Sequence, residues 1–326
     1  MPSAPRIKPP ALQPGDTIGI VAPASNIKAE LLETGCRALR ELGYKPFYFD
    51  SILQQDLYFA GSVERRTREL EEMFMRPEVR AIVCARGGYG TNYLLERVNL
   101  ETIKSHPKIL VGYSDVTTLL TYFADTAGMV TFHGPMLTKD FANEGGVDLY
   151  SWRNAVCGAR DWALPLDSQS GMKALVDGAS QGILYGGCLS MLVASLGTPY
   201  EIRTDGTILF LEDVAAKPFQ IDRMLMQLKL AGKLQHVRGI IFGEMLNCVQ
   251  SQDQVYTLEE VIMRVLGDLE VPIVFGLRSG HVSKENTTLP IGVQAELQVS
   301  GTRIGFRILE SASTAVPSSH VTKSKA

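Results

Sequence analysis

The stretch Val111-Gly112-Tyr113-Ser114-Asp115-Val116-Thr117-Thr118 follows an apolar run and leads into a helical pattern, so it predicts a strand, a sharp turn and a helix. A serine at such a junction exposes its hydroxyl above the sheet, and backbone N–H groups at the start of the helix can face an anion formed there. This is the logic of a nucleophile elbow, although Val116 replaces the second glycine of the usual G-x-S-x-G pattern. Taken alone, the eight residues favour plain helix capping, since serine and aspartate are common N-caps.

Apolar runs of strand length alternate with helical patterns on both sides of this stretch, throughout the first half of the chain. Such alternation is typical of an α/β fold with a doubly wound parallel sheet, in which functional sites lie at the carboxyl ends of the strands. Between two of these runs, Ser62 is the expected N-cap of a charged helix. The predicted strands are 16–22, 46–49, 81–85, 109–111 and 129–133.

The pattern weakens around residues 160–180, where prolines, glycines and serines are typical of a linker. We therefore expect an N-terminal domain over 1–165, a smaller α/β domain over 175–310 and a disordered tail over 311–326. The second domain is predicted to contain strands at 207–211, 239–242 and 272–275 and a closing hairpin of 294–299 with 303–308.

The composition is that of an ordinary globular protein and limits the possible partners. The 326 residues are 45% hydrophobic and 21% charged, and the formal net charge of −3 favours neither nucleic acid nor an anionic membrane as a partner. Five cysteines without C-x-x-C spacing argue against a disulfide framework and a zinc site, and favour a reducing compartment. The N-terminus has no signal-peptide pattern, and no apolar run reaches about 18 residues, so we expect a cytoplasmic protein.

Three residues with the chemistry of a catalytic triad fall at the predicted carboxyl ends of buried strands. They are Ser114, Glu212 and His281, and the chain order Ser, Glu, His is one of those known for triads. Taken singly, Glu212 is more typical of a helix cap and His281 of a loop histidine, but their common position favours catalysis. His133, which also ends a predicted strand, is the competing histidine, with a packing or a substrate-side role as the alternative.

The turn Arg86-Gly87-Gly88-Tyr89-Gly90 ends a predicted strand in the same half of the chain as Ser114. Its three glycines permit positive φ and close backbone approach, so free N–H groups there can form half of an oxyanion hole; the alternative is a tight strand-to-helix turn.

The sequence lacks the usual motifs of cofactor and metal sites. It contains no G-x-G-x-x-G, no Walker-type loop and no Cys/His pair with metal-ligand spacing, so we expect no cofactor and no metal. Cys188, in a Gly-Gly-Cys turn, is more typical of a small buried hydrophobe than of a nucleophile.

Taken together, these stretches resemble the LD-carboxypeptidase family of serine peptidases, whose type members are the murein tetrapeptide carboxypeptidases. The similarity extends over roughly residues 8–310. It is carried, in this order, by Gly15–Ser25, Arg86–Gly90, Gly112–Asp115, His133-Gly134-Pro135, Leu196–Pro199, Leu211–Val214, Ile221–Leu225 and Gly280-His281.

The resemblance implies a serine mechanism in which Ser114 is the nucleophile, His281 the general base and Glu212 the residue that orients this base. It also implies a Rossmann-like N-terminal domain that carries the nucleophile and a smaller C-terminal α/β domain that carries the other two triad residues. The site would lie between the domains, usually in a homodimer, and would need neither metal nor nucleotide.

The same resemblance implies an oxyanion hole formed by backbone N–H groups. One donor would be Asp115, and the other a glycine of the turn, Gly88 or Gly87. Arg86 and Tyr89 are substrate-side candidates, and Arg86 is a candidate clamp for a terminal carboxylate unless it only braces its own loop.

In the type members the reaction removes terminal D-alanine from a cytoplasmic muropeptide tetrapeptide during cell-wall recycling, so a small peptide is the expected substrate. A sister branch, the microcin-C immunity peptidases, cleaves peptidyl or aminoacyl adenylates, but the Ile221-Asp222-Arg223 helix resembles the carboxypeptidase branch more. Two departures bear on substrate preference: Cys188 stands where an asparagine is expected, and Gln220 where an arginine is frequent. A function of a different class, small-molecule binding without catalysis, fits the strand pattern but leaves the triad placement as a coincidence.

Overall fold

The structure is a computed structural model that describes residues 6–166, 171–249 and 255–314. Within these ranges the chain forms two β-sheets, of six and eight strands, flanked by eight α-helices. The expected α/β class, with parallel strands in both halves, is confirmed. No helix in the described part is long and apolar enough to cross a membrane.

The first half of the chain alternates strands and helices as its sequence pattern predicts. Five parallel strands lie side by side in the order 2-1-3-4-5, which is a doubly wound arrangement with its switch point between the first and third strands. The elements in chain order are β1 (Thr17–Val21), α1 (Ala29–Glu41), β2 (Lys45–Phe47), α2 (Val63–Met75), β3 (Val79–Cys84), α3 (Leu100–Ser105), β4 (Ile109–Gly112), α4 (Thr117–Tyr122), β5 (Thr131–His133) and α5 (Leu149–Val156).

Helix α2 shows how this half acquires its core. The predicted N-cap, Ser62, accepts a hydrogen bond from the backbone N–H of Arg65 (3.3 Å) and so satisfies one of the unpaired donors at the start of the helix. On the inner face Leu70, Met73 and Phe74 are fully buried against the sheet. Burial of each such side chain contributes about 1.5–3 kcal/mol.

The carboxyl ends of β1, β3 and β4 meet at one edge of the first sheet, because these strands are parallel neighbours in matching register. The turns that follow them contain Ser25, Arg86–Gly90 and Ser114, respectively. Strand pairing therefore brings together segments that are up to 90 residues apart in sequence, roughly the length of three βα units.

The second half forms an eight-stranded sheet with a parallel centre. Its elements, and those that lead into it, are β6 (Trp162–Ala163), β7 (Lys173–Val176), β8 (Gly178–Cys188), α6 (Leu189–Ala194), β9 (Thr207–Glu212), α7 (Pro218–Leu230), β10 (Gly239–Gly243), α8 (Leu258–Leu266), β11 (Ile273–Leu277), β12 (Leu289–Ile291), β13 (Gln294–Ser300) and β14 (Arg303–Ile308). The strand order is β6-β14-β13-β8-β9-β10-β11-β7, and β8 to β11 run parallel. The hairpin predicted at the end of the chain corresponds to β13 and β14.

The 11-residue strand β8 is the main difference from the sequence-based expectation, in which residues 160–180 are typical of a linker. The segment Gly178-Ala179-Ser180-Gln181 has no apolar run, and Gly178 and Gly182 are residues that disfavour strands. It is nevertheless part of a strand, because β13 pairs with residues 178–183 on one side and β9 pairs with the continuation, residues 183–188, on the other. Tertiary pairing here overrides local preference.

Two strands pair with the sheet that is formed mainly by the other half of the chain. β12 lies in the second half of the sequence but pairs antiparallel with β5 in the first sheet, where Leu289 lies opposite His133. β6, which falls within the predicted N-terminal domain 1–165, pairs with β14 in the second sheet. As a result, the loop after β11, which carries His281, leads back to the edge of the first sheet.

The chain beyond the final hairpin is packed as far as Thr314. Its backbone N–H donates to the carbonyl of Pro9 (2.8 Å), and Ala312 is buried. Residues 311–314, which the sequence analysis assigns to the disordered tail, are therefore part of the packed structure. Residues 315–326, and the linker residues 167–170, lie outside the described residues.

Candidate active site

Ser114 lies at the sharp turn between β4 and α4, as its sequence predicts. Its φ of +62° is in the left-handed region that non-glycine residues rarely adopt, so the backbone is strained there. Tyr113 before it is extended, and a short 3₁₀ turn over Ser114–Val116 leads into the helix. The side chain is half-buried, and its hydroxyl makes no hydrogen bond with any described residue. The backbone thus holds Ser114 in place and leaves Oγ free to react.

The glycine turn after β3 lies directly against Ser114. A Cβ built on Gly87 would be 2.8 Å from Ser114 Cβ and 3.1 Å from its Oγ, so a larger residue fits only if the serine moves. The same point lies 3.3 Å from the backbone nitrogen of Asp115. Within the described ranges, the N–H groups of Gly87 and Gly88 have no hydrogen-bond acceptor. Two backbone segments with free donors therefore meet around the serine side chain, as an oxyanion hole requires.

The side chain of Asp115 ties these two segments together. It is buried, and its Oδ2 accepts a hydrogen bond from the backbone N–H of Thr91 (2.8 Å), while its own carbonyl accepts from the Thr91 hydroxyl (2.6 Å). Burial raises the pKa of the Asp115 carboxyl, and the hydrogen bonds from Thr91 act against that rise. From the sequence only a backbone role is predicted for Asp115, because no local pattern links its side chain to a threonine on another turn.

Glu212 and His281 form the charged centre of the site. Glu212 ends β9 and is fully buried, and its Oε2 accepts hydrogen bonds from Nδ1 (2.8 Å) and the backbone N–H (3.0 Å) of His281. A Cβ on Gly280 would lie 2.5 Å from Glu212 Cδ, and the φ of Gly280 is +90°, so this loop needs a glycine to close on the carboxylate.

The protonation states of this pair follow from its contacts. Burial alone raises the pKa of Glu212, but the contacts with His133 and His281 outweigh burial and lower it to about 2. The carboxylate is therefore ionised near neutral pH. It holds the His281 proton on Nδ1, which leaves Nε2 as the basic nitrogen.

Tyr113 places the Ser114 turn beside His281. The two rings meet edge-on, with centroids 5.1 Å apart. The structure thus brings the strand ends that carry Ser114, Glu212 and His281 to one place. Glu212 and His281 are hydrogen-bonded, whereas among the described residues Ser114 and His281 are not. Catalytic hydrogen bonds are often long without substrate and tighten when it binds.

Arg86 and Tyr89, the substrate-side candidates, lie at the exposed rim of the glycine turn. The Arg86 guanidinium donates to the backbone carbonyl of Asn26 (3.2 Å), and so it braces its own turn against the one after β1. Tyr89 is exposed, and its ring centroid is 6.1 Å from that of Tyr58 and 6.1 Å from that of Tyr93. The structure therefore gives Arg86 a bracing contact and presents Tyr89 in an exposed aromatic cluster.

Cys188 lies next to the Glu212–His281 pair, which the sequence analysis did not expect. It ends β8 directly opposite Glu212 in the strand pairing. Its Sγ, a Glu212 oxygen and a His281 nitrogen lie within 4.8 Å of one another, and no other group of three potential metal ligands occurs in the described part of the chain. Burial, with the negative charges of Glu212 and Asp213, raises the pKa of the Cys188 thiol well above its usual range. A neutral thiol is a poor nucleophile and a poor metal ligand, which favours the packing role.

His133, the competing histidine, lies behind the carboxylate of Glu212. It is fully buried, so it has no surface to offer a substrate, and its Nε2 is 3.7 Å from Glu212 Oε1. It reaches this position because β5 pairs with β4, with His133 opposite Gly112, two residues before Ser114. The sequence pattern predicts His133 at a strand end but contains no local signal for its contact with Glu212.

Known proteins similar to this chain include murein peptide carboxypeptidases by sequence and MccF by fold. The family models for the LD-carboxypeptidase N-terminal and C-terminal domains match residues 18–134 and 181–297. The chain is 38% identical over 294 residues to a probable murein peptide carboxypeptidase of Bacillus subtilis, which covers 90% of this chain and 92% of the relative. It is 30% identical over 292 residues to the murein tetrapeptide carboxypeptidase of Pseudomonas aeruginosa, and this alignment covers 86% of this chain and 92% of that relative. A solved structure of MccF with glutamyl sulfamoyl guanosine has a TM-score of 0.86 at 23% identity, over 94% of this chain and 99% of that one, and so shows the same fold.

Proposed function

The chain belongs to the LD-carboxypeptidase family, and from that premise we propose that it is a serine carboxypeptidase that releases terminal D-alanine from muropeptide tetrapeptides. The serine mechanism is supported above all by the 2.8 Å hydrogen bond between Glu212 and His281, beside the strained turn of Ser114. The substrate is proposed from the names of two similar proteins, a probable murein peptide carboxypeptidase and a murein tetrapeptide carboxypeptidase.

In the proposed acylation step, Ser114 Oγ attacks the carbonyl carbon of the peptide bond before the terminal D-alanine. Nε2 of His281 takes the serine proton, and Glu212 stabilises the imidazolium that forms. The negative charge on the carbonyl oxygen is held by the backbone N–H groups of Asp115 and the glycine turn. His281 then gives its proton to the leaving amine, the C–N bond breaks, and D-alanine departs.

Water completes the reaction in the deacylation step. His281 takes a proton from the water as the water oxygen attacks the ester carbonyl of the acyl-enzyme. The Ser114 Oγ–carbon bond breaks and the proton returns to the serine. One water is consumed for each D-alanine and each shortened peptide produced.

The substrate is tested with two peptides that differ at one stereocentre. The purified protein is incubated with a muropeptide tetrapeptide that ends in an L,D bond and with its L,L diastereomer, and free alanine is measured. We expect release from the L,D peptide only. Release from neither peptide, or from both at equal rates, contradicts the proposal, and cleavage of a peptidyl adenylate instead would place the chain with the microcin-C immunity peptidases.

We include in the proposal that the enzyme acts in the cytoplasm as a homodimer, the state implied by the family resemblance. Light scattering of the purified protein should give twice the chain mass of 35.7 kDa. Cell fractionation should place the activity in the cytoplasmic fraction. A monomer mass, or activity outside the cytoplasm, contradicts this part alone.

A further inference from the structure

His133 and Glu212 face each other through two atoms that have no other hydrogen-bond partner. The contact joins His133 Nε2 to Glu212 Oε1 at 3.7 Å, and both side chains are fully buried. Within the described residues neither atom makes a hydrogen bond, whereas the other carboxylate oxygen, Oε2, is already bonded to His281. A buried polar atom without a partner destabilises the folded state, so this pair of atoms requires an explanation.

The other ring nitrogen of His133 shows where the protons must be. Nδ1 lies 3.1 Å from the hydroxyl oxygen of Ser279, and that hydroxyl donates to the backbone carbonyl of Thr287 (2.8 Å). A hydroxyl has a single proton to give, so the contact between His133 and Ser279 needs a proton on Nδ1. If Nε2 were bare, its lone pair would face a carboxylate oxygen in a fully buried environment, which is unfavourable.

We propose that His133 carries a proton on Nε2 as well and holds it toward Glu212 Oε1, so that one carboxylate is shared by two imidazoles. His133 is then a positioning residue behind the triad: it fixes the rotation of the carboxylate and balances its charge. As a role in turnover, this inference rests on the proposed serine mechanism. The chain of contacts runs from the Thr287 carbonyl through Ser279, His133 and Glu212 to His281.

The other groups that contact His133 are neutral, so Glu212 is the group that balances a positive charge on His133. The ring of Tyr113 is 5.9 Å away, and burial, with Asp140 nearby, raises the pKa of this phenol well above its usual range, so it is neutral. Phe210 closes another side, with ring centroids 5.1 Å apart.

Besides His281 and Tyr113, the titratable groups near Glu212 are Cys188, Cys248 and Asp213. Burial raises the pKa of both thiols, which are therefore neutral. The Asp213 carboxyl accepts hydrogen bonds from the backbone N–H groups of Ser190 and Val214 (both 2.8 Å).

Loss of the His133 charge has a defined effect on the pH profile. Glu212 would then act on His281 alone, and its full negative charge would stabilise the imidazolium of His281 more strongly. His281 would keep its proton to higher pH, so the acid limb of kcat/KM should move upward. A histidine that only fills space would leave that limb in place.

Two substitutions separate the effect of the N–H donor of His133 from the effect of the size of its ring. His133→Gln keeps an N–H donor near the position of Nε2, whereas His133→Phe keeps a ring of similar size without a donor. We expect His133→Phe to lower kcat by about 10- to 100-fold, the loss typical of a hydrogen bond to a charged group, with KM within about threefold. His133→Gln should retain more of kcat than His133→Phe, and the acid limb should move upward in both. Thermal unfolding of each variant shows whether it is folded.

A measurement on the wild type shows directly whether His133 Nε2 carries a proton. In protein labelled with ¹⁵N at its five histidines, the His133 signals are assigned by their loss in whichever substituted protein is folded. We expect both ring nitrogens to be protonated at pH 7, and a bare Nε2 overturns the inference. An active His133→Phe protein with wild-type kcat and an unchanged acid limb also overturns it. Failure of the wild type to release D-alanine counts against the proposed function alone, because the spectrum reports the His133 proton in either case.

Discussion

The two halves of the candidate site are held by different means. On the first sheet, Ser114 is positioned by its backbone, through a positive φ and the close approach of Gly87, and its hydroxyl has no partner among the described residues. On the second sheet, Glu212 and His281 are positioned by hydrogen bonds between buried side chains. The nucleophile side is therefore sensitive to shape, and the base side to charge and proton position.

This difference predicts that the largest loss of activity comes from removal of Ser114 Oγ, the proposed nucleophile. Ser114→Ala removes only the free hydroxyl and relieves none of the contacts that hold the turn. Turnover of the L,D tetrapeptide should fall by about 10⁴-fold or more, as is typical when a triad serine is removed, with unchanged thermal unfolding. Ser283→Ala, at an exposed serine on the loop after His281, is the matched control and should retain full activity. A tenth of wild-type activity in Ser114→Ala would sink the assignment.

On the base side, Glu212→Gln should cost nearly as much, although it replaces one oxygen by a nitrogen. The amide cannot stabilise the imidazolium and favours the wrong tautomer of His281, an error that costs about 10⁴-fold in a serine protease. Glu285→Gln, at an exposed carboxylate on the same loop, is the control for loss of one negative charge. Comparable kcat values in the two variants would show that Glu212 does not orient the base.

Acid stability follows from the same pair. The folded pKa of Glu212, about 2, is below the ~4.3 of an unfolded glutamate. The stability that this carboxylate contributes is therefore fully present above about pH 4.3 and is lost as the pH falls toward 2. Glu212→Gln lacks this titration, so urea unfolding should show a smaller loss of stability between these pH values than in the wild type. Parallel losses in both proteins would mean that the pKa of Glu212 is not lowered.

A smaller loss is expected when the shape of the nucleophile side changes. The methyl group of Gly87→Ala would meet Ser114 Cβ and Oγ, so it should displace the serine and the oxyanion donors together. We expect kcat to fall by about 10²- to 10³-fold, the range for loss of one oxyanion donor. In Gly305→Ala the nearest atom is 3.8 Å from the new methyl, and this control should have wild-type activity. Equal activities would show that Gly87 only forms a turn.

The sequence predicts the nucleophile side of this comparison better than the base side. The turn at Ser114 and the glycine turn are local patterns, since strand, turn and helix follow one another within about ten residues. β8 was missed because its first residues are small and polar and it forms by pairing on both sides. The contacts of Cys188 and His133 with Glu212 arise from strand register across two sheets, which no single segment encodes.

The smallest effect is expected at Cys188, which lies beside Glu212 and His281 but has no role in the proposed mechanism. Its thiol is buried and its pKa is raised, so Cys188→Ala should keep kcat within about tenfold, a change of roughly 1.4 kcal/mol in the barrier. EDTA should not inhibit the wild type. Loss of activity in Cys188→Ala to the level of Ser114→Ala, or restoration of a metal-stripped enzyme by zinc, would overturn the serine mechanism.

The central claim is that Ser114 is made reactive by the Glu212–His281 pair, and covalent labelling tests it most directly. A preparation that releases D-alanine is treated with a serine-reactive fluorophosphonate, and the modified residue is located by peptide mass mapping. The account predicts one phosphonyl group, on Ser114, and labelling slower by about 10²-fold or more in His281→Ala, because the serine then lacks its base. A label on Cys188, or labelling of Ser114 at the same rate in His281→Ala, would contradict the account.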